Sequence, residues 1–581
     1  MMFLLNLIFI SVLICYFFLK QNYIELTVII SFLIFFFIYN RCLFLSFIKD
    51  EIKLIQFSYF YFIPIIIFTT IVYFTLGTDY IYTSQDALAI WGNHTKWIYE
   101  NNKLWDHVAT LNFKKNIPGV SIYEYLFISI FGFTEKNIVL SLHFLSFLSL
   151  STAVKKVFKD KFDFLIITPM AFIVLPLFGY AFVDIMVDGL LASIVTLYTI
   201  MVFLFFNQKE KYYNLIPISI FLVMIKPVGI WYVVFIPVFL GIYSFLFYKK
   251  KNSFLQNIYM ILVLFPTLYI WNDWQNYITL IDSRMLPLFS FNEYLSLEFI
   301  NKVKKVMMGF HSWAMNGNFL LLKIIELPYY ITYLILNLIT IFLLKKQFNI
   351  TKTLLIFSII NCFFIFNLFT YLYLMVIYFH DYEAENVASI GRYFGIIHIT
   401  WVIISSFLIY KKLIKPLFIS NRINKFITLI ILGMISVATL IFTQNYFLKL
   451  GPSKEAIKDF KVLKANFDLN NKGDNSKIYF ISQGNVGHEA SLFFYMLSPY
   501  TKSHGCWSLT NKIILGKIMH WDCKGSLISY LDGYTHVYID KLDINFTNEQ
   551  KYFFKNNKVN EKSLYLVNFN TDKKETYLTL E

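Results

Sequence analysis

Apolar runs of about 20 residues recur along most of this chain, and a run of that length is what a helix needs to cross a bilayer. They lie near 2–19, 23–40, 54–76, 137–154, 163–179, 186–206, 213–228, 230–248, 254–271, 327–344, 353–378, 393–410 and 426–444. The pattern predicts an α-helical polytopic membrane protein with about thirteen transmembrane helices. Composition agrees: 57% of the 581 residues are hydrophobic, only 15% are charged, and the mean hydropathy is +0.58. A soluble protein has about 45–50% apolar and about 25% charged residues. A plain soluble enzyme, a disordered chain and a disulfide scaffold are thereby excluded. The first run has no basic start and no A-x-A site, so it reads as a retained helix rather than a cleaved signal.

The net charge of +15 would suit nucleic acid only if it were gathered on one surface. Most of it lies instead in short loops between apolar runs, and no nucleic-acid partner is expected. Alternate loops carry Arg41, Lys49 and Lys53; Lys155, Lys156, Lys159 and Lys161; Lys209 and Lys211; Lys249, Lys250 and Lys251; Lys345, Lys346 and Lys352; and Lys411, Lys412, Lys415, Arg422 and Lys425. Positively charged loops stay inside. The N-terminus is therefore expected on the inner side of the cytoplasmic membrane. The outer side receives 77–136, 180–185, 272–326, 379–392 and everything after about 445.

The outer stretches 77–136 and 272–326 mix aromatics with charges, as surface-lying helices do. After 445 the pattern changes. KIYFISQG (477–484), THVYIDKL (535–542) and SLYLVNF (563–569) are short β-rich runs, with helical stretches near 452–466 and 487–498. Residues 1–444 thus read as a membrane domain and 445–581 as a small outer-face α/β domain. Cys15, Cys42 and Cys362 lie in apolar runs as small core residues. Cys506 and Cys523, in the polar part, are the candidate disulfide pair.

Ionisable groups at a membrane edge are costly, which marks four places. In SQDALAIWGNHTKWIYE, Asp86 sits just past the edge, with Trp91 and Lys96 following at five-residue steps. Asp86 suits a general base for an acceptor hydroxyl, or a helix cap; Asp79 and Asp106 compete with it. In YAFVDIMVDGLLA, Asp184 and Asp188 share a helix face. They suit a divalent cation or a sugar, or simply a wet helix start. In VMIKPVGIW, Lys226 at the outer end of a helix suits a lipid phosphate, or is a snorkelling lysine. In HDYEAENVASIGRYFGI, Arg392 suits bidentate phosphate binding, or a pair with Glu383 or Glu385 that tethers the loop. GNVG (484–487) lacks the rest of a dinucleotide fingerprint. The histidines show no metal-ligand spacing, and no Walker A motif is present. Asn93-His94-Thr95 fits a glycosylation sequon that short sequences reach by chance. The sequence names no cofactor; Asp184 and Asp188 would be the ligands if a divalent cation is used.

Taken in this order, the four places resemble the GT-C superfamily of integral-membrane glycosyltransferases, which includes protein O-mannosyltransferases and lipid A aminoarabinose transferases. Bacterial members carry a first outer loop of roughly D-E-x-x-x-W, a Lys, then Y-P-P-G. Asp86, Trp91, Lys96 and Pro118-Gly119 match it; Ala87 replaces the second acid and Asn116-Ile117 the aromatic-proline start. Val187-Asp188-Gly189-Leu190-Leu191-Ala192 is similar to the family's V-D-P-L-L-A, which ranks Asp188 above Asp184. Ile225-Lys226-Pro227-Val228-Gly229 resembles I-K-x-x-G, and Arg392-Tyr393 the R-Y that opens a late helix, with Glu383 in the loop before it. The short, degenerate motifs span most of residues 75–570; the first two apolar runs fall outside them.

The resemblance implies sugar transfer from a polyprenyl-phosphate donor to a hydroxyl of a lipid-linked glycan, lipid or protein, with inversion, at the outer face. It casts Asp86 as base, Lys226 and Arg392 as partners of the phosphate leaving group, Asp188 as a positioner of acceptor or sugar, and Trp91 as a packing surface. It places Lys96, Glu383 and Tyr393 among the substrate-binding residues. Topology points the same way independently: a soluble nucleotide-sugar donor would need acids on the inner side, where the candidates are not. Two other classes stand beside it. A surface-polysaccharide polymerase or ligase using lipid-diphosphate donors would lean on outer arginines, which are few here, chiefly Arg284 and Arg392. A non-catalytic glycolipid flippase or transporter would show repeats and midplane polar residues, and no repeat is apparent.

Overall fold

A computed structural model of the chain describes residues 1–21, 27, 60–248, 253–281, 296–316, 328–469 and 476–581, apart from short stretches inside those ranges, the longest being 510–521. Apart from residue 27, the apolar run 23–40 lies outside the described residues, as do Cys42, Asp79, Arg284 and the loop 249–252. The chain divides into two compact units. The first comprises Met1–Ile81, Trp97–His107 and Lys114–Lys449; the second comprises Tyr82–Lys96, Val108–Phe113 and Leu450–Glu581.

The first unit is a helical bundle, and the protein is a polytopic α-helical membrane protein. Each apolar run within the described residues is a helix. Among the described residues, six helices are long and apolar enough to cross a membrane: Met2–Leu19, Glu135–Val157, Asp188–Phe206, Gly229–Leu246, Ile350–Ile377 and Ile390–Ile414. Two of these are central. Glu135–Val157 turns Ser141, Ser146, Ser149 and Thr152 inward, and Asp188–Phe206 brings Ala192, Ser193 and Thr196, all buried. Small side chains let helices approach closely where lipid gives no hydrophobic drive. The Thr196 hydroxyl meets the Thr400 hydroxyl at 3.2 Å, and Trp401 Nε1 donates to Thr340 Oγ1 at 2.8 Å. Peripheral helices do the reverse. Phe245, Phe265, Phe369 and Met434 are 69%, 73%, 59% and 60% exposed, as side chains that face lipid are.

Two helices go beyond the sequence expectation. Gly119–Phe131, inside a stretch expected to hold surface-lying helices, buries its first half with Val120, Ile122 and Tyr123. Ser253–Ile281 runs past residue 271, because its polar end is satisfied: Asp273 accepts from Tyr16 Oη at 2.7 Å and from Lys20 Nζ at 2.5 Å. Trp274 meets Trp105 edge-on. Leu297–Asn316 in the second outer stretch is amphipathic, burying Val306, Phe310 and Ala314.

The second unit carries a four-stranded sheet in the order β1-β4-β5-β6, with β1 Ile478–Ser482, β4 His536–Lys541, β5 Ser563–Asn570 and β6 Glu575–Leu580. β1 and β4 are parallel, with Ile478 opposite His536; the other pairs are antiparallel. Strand alternation sends Tyr479, Ile481, Val537 and Ile539 into one core. It sends Phe480 and Tyr538 to the other face, against Phe460 of helix Lys454–Leu469 and Phe493 of helix His488–Met496. Two short strands, β2 (Ser508–Leu509) and β3 (Asp522–Cys523), pair beside it, and Cys506 is disulfide-bonded to Cys523. β2, β3 and β6 have no counterpart among the strands the sequence predicts. This unit is discontinuous in sequence, since Tyr82–Lys96 belongs to it and not to the helices on either side.

Candidate functional site

Three helix ends of the first unit converge on one carboxylate. Asp188 opens its helix and is fully buried. Lys226 Nζ lies 3.0 Å from its Oδ1, and Arg392 Nε lies 3.0 Å from its Oδ2. A buried charge persists only when paired, and here one carboxylate holds two cations. The three groups sum to one net positive charge. The lysine is not snorkelling, and Arg392 does not serve merely to tether its own loop.

Local sequence explains each position. Leu215–Ile225 stops at Lys226, whose backbone is extended because Pro227 follows. Gly229 then starts the next helix directly against the Leu222 carbonyl, where any Cβ would overlap it. Arg392 sits in the first turn of Ile390–Ile409, behind Val387 and Ser389, both at positive φ (43° and 61°). A β-branched residue there is strained. The turn is held by packing: Gly309 lies against the Glu385 carbonyl, and Lys305 pairs with the Glu385 carboxylate at 2.6 Å.

Beneath the cations is an aromatic floor. Lys226 Nζ lies 4.5 Å from the Tyr393 ring centroid, a cation–π distance. Tyr393 stacks on Tyr371 at 5.4 Å, and the Tyr371 and Tyr232 hydroxyls are 2.7 Å apart. Tyr232 and Tyr371 carry no signal in the sequence that marks them out from other aromatics in apolar runs.

Asp86 belongs to the second unit. It is half-buried, in a helical turn that continues as the π-helix Ala87–Trp91. It does not cap that helix. Ser84 does, its Oγ accepting from Ala87 N at 3.2 Å. Trp91 is buried in this unit and meets His94 edge-on. Lys96 is buried too, donating to the Tyr495 carbonyl at 2.9 Å. The Asn93 side chain donates to the Leu88 carbonyl at 2.7 Å, within the helical turn rather than on an open loop.

The remaining candidates scatter. Asp184 is buried and accepts from Tyr80 Oη at 3.1 Å, so the two acids of YAFVDIMVDG have different partners. Asp106 pairs with Lys103 at 3.0 Å near the surface. Glu383 is half-buried in the short helix Asp381–Glu385. Among the described residues, no three His, Cys, Asp or Glu side chains gather in a way that would hold a metal ion. Asp188, already facing two protein cations, is a poor ligand for a third.

No family model matches the sequence. No curated protein matches it. Among solved structures, the chain is similar to the crystal structure of ArnT from Cupriavidus metallidurans bound to undecaprenyl phosphate. The match covers 82% of this chain and 92% of that one, at 10% sequence identity and a TM-score of 0.45.

Proposed function

We propose that the protein is a membrane glycosyltransferase of the GT-C type that moves a sugar from a polyprenyl-phosphate donor to a hydroxyl of a lipid-linked glycan, lipid or protein at the outer face of the membrane. The observation that carries the reading is the pairing of Lys226 and Arg392 on one buried carboxylate at adjoining helix ends. Two cations fixed in place by Asp188 are preorganised for a phosphate leaving group and need little reorganisation as its charge develops. The motif order around Asp86, Asp188, Lys226 and Arg392 supports the same assignment.

In this reading the acceptor hydroxyl gives its proton to the Asp86 carboxylate. Its oxygen forms the new bond to the anomeric carbon, with inversion. The bond from that carbon to the phosphate oxygen breaks, and the electron pair leaves on the polyprenyl phosphate beside Lys226 and Arg392. Asp188 orients the two cations, and the Tyr393 ring limits where Lys226 can point. The positive loops keep the N-terminus inside and the C-terminal unit outside.

The test compares surface glycans by mass spectrometry in cells with the wild type, Asp86→Asn or a deletion. A defined sugar should vanish in the deletion and fall by about 10²–10⁴-fold in Asp86→Asn. Loss in the deletion alone would remove Asp86 as base. Loss of the whole glycan would favour a polymerase, ligase or flippase, and no change in the deletion would overturn the transferase reading.

A further inference from the structure

Helix His488–Met496 of the C-terminal unit grips both ends of the segment that carries Asp86. At one end His488 Nε2 lies 2.9 Å from the Thr83 carbonyl, an acceptor only, so this nitrogen carries the proton. Gly487, at φ 102°, leaves room for the Gln85 side chain where a Cβ would collide with it. At the other end Lys96 Nζ donates to the Tyr495 carbonyl at 2.9 Å and lies 5.0 Å from the centre of the Tyr495 ring. Tyr82 meets that ring edge-on at 5.3 Å. Thr83, Lys96, Tyr82 and Tyr495 are all buried. Asp86 lies between the two grips, in a helical turn whose own cap is Ser84.

We infer that Lys96 and His488 are positioning residues: they clamp the 83–96 segment onto helix His488–Met496 and so fix Asp86, and Lys96 makes no contact with the donor phosphate. This rests on the reading of Asp86 as base. The argument is one of geometry. A carboxylate in a short helical turn is only as well placed as that turn, and misplacement by about 1 Å can lower a rate about a hundredfold. A buried ammonium donating to a carbonyl is a strong tether. The ring beneath it adds a second hold, so the Lys96 charge is already engaged within its own unit. The clamp lies wholly within the C-terminal unit, although Asp86 lies in sequence among the membrane helices.

The experiment uses the full chain in nanodiscs and in cells, with decaprenyl phosphate as binding probe. In Lys96→Met and His488→Ala, sugar transfer should fall about tenfold or more. Hydrogen exchange of the 83–96 amides should quicken, and affinity for decaprenyl phosphate should stay unchanged. Lys96→Arg and His488→Gln, which keep a donor, should restore both transfer and protection. Weaker probe binding in Lys96→Met would place Lys96 on the phosphate and overturn the clamp. So would a fall in transfer with unchanged exchange, or failure of both conservative variants to rescue. Normal transfer in Asp86→Asn would sink the base assignment separately, since the exchange result does not depend on activity.

Discussion

At the scale of single residues, Asp188 concentrates the electrostatics of the first unit. Removing one partner of a buried pair leaves the others unpaired, which costs about 3–5 kcal/mol. Asp188→Asn, similar in size but neutral, should therefore lower the thermal stability of the detergent-solubilised protein. Adding Lys226→Met removes one of the stranded cations, so the double variant should be more stable than additivity allows, by about 0.5–3 kcal/mol. Strict additivity would mean that the three groups do not act as one cluster. The bland roles open to these residues are taken elsewhere: the cap near Asp86 is Ser84, and the Glu385 tether is Lys305.

At the scale of elements, the break between two helices sets where Lys226 points. Pro227 forces the extended residue before it, and Gly229 permits the tight restart against Leu222. Gly229→Ala should be destabilising by about 1–3 kcal/mol through overpacking, and should lower sugar transfer by shifting Lys226. Gly433 gives the contrast. It lies within helix Arg422–Leu448 and has nothing within 4 Å of a new Cβ. Gly433→Ala should be neutral or stabilising by up to about 1 kcal/mol. Thermal unfolding of both variants in the same detergent checks the pair, and equal losses would remove the close-approach argument.

At the scale of the whole molecule, the C-terminal unit has a built-in alkaline limit. Burial raises the phenol pKa of Tyr479 and Tyr538, and for Tyr538 the carboxylates Asp540 and Asp459 push the same way. Burial works against charge on Lys562, but its bond to Asp540 and the nearby acids hold its pKa above the usual lysine value. All three groups have folded pKa values above their unfolded ones. Their stabilisation is thus complete below about pH 10 and is lost as pH rises beyond it, when the unfolded chain ionises first. Tyrosinate absorbance and near-ultraviolet circular dichroism on the intact protein should change together above that pH. Ionisation of every tyrosine near pH 10, with circular dichroism unchanged, would contradict the burial argument.

What the sequence determined by itself is whatever depends on local pattern. Apolar runs of bilayer length placed most helices of the first unit, and short β-rich runs placed β1, β4 and β5. Lys226 was legible as unusual because Lys-Pro at the end of an apolar run is a local event, and the Cys506–Cys523 pair was legible by scarcity. The tertiary structure decided the rest, because pairing is not local. The carboxylate of Asp188 meets cations 38 and 204 positions away, and Lys96 meets a carbonyl 399 positions away. No periodicity encodes such distances. They arise when helices bury their small-residue faces and strands close a core, which carries polar groups out of water and obliges each to find a partner. For the same reason the sequence set a domain boundary near 445, while packing drew residues 82–96 into the C-terminal unit.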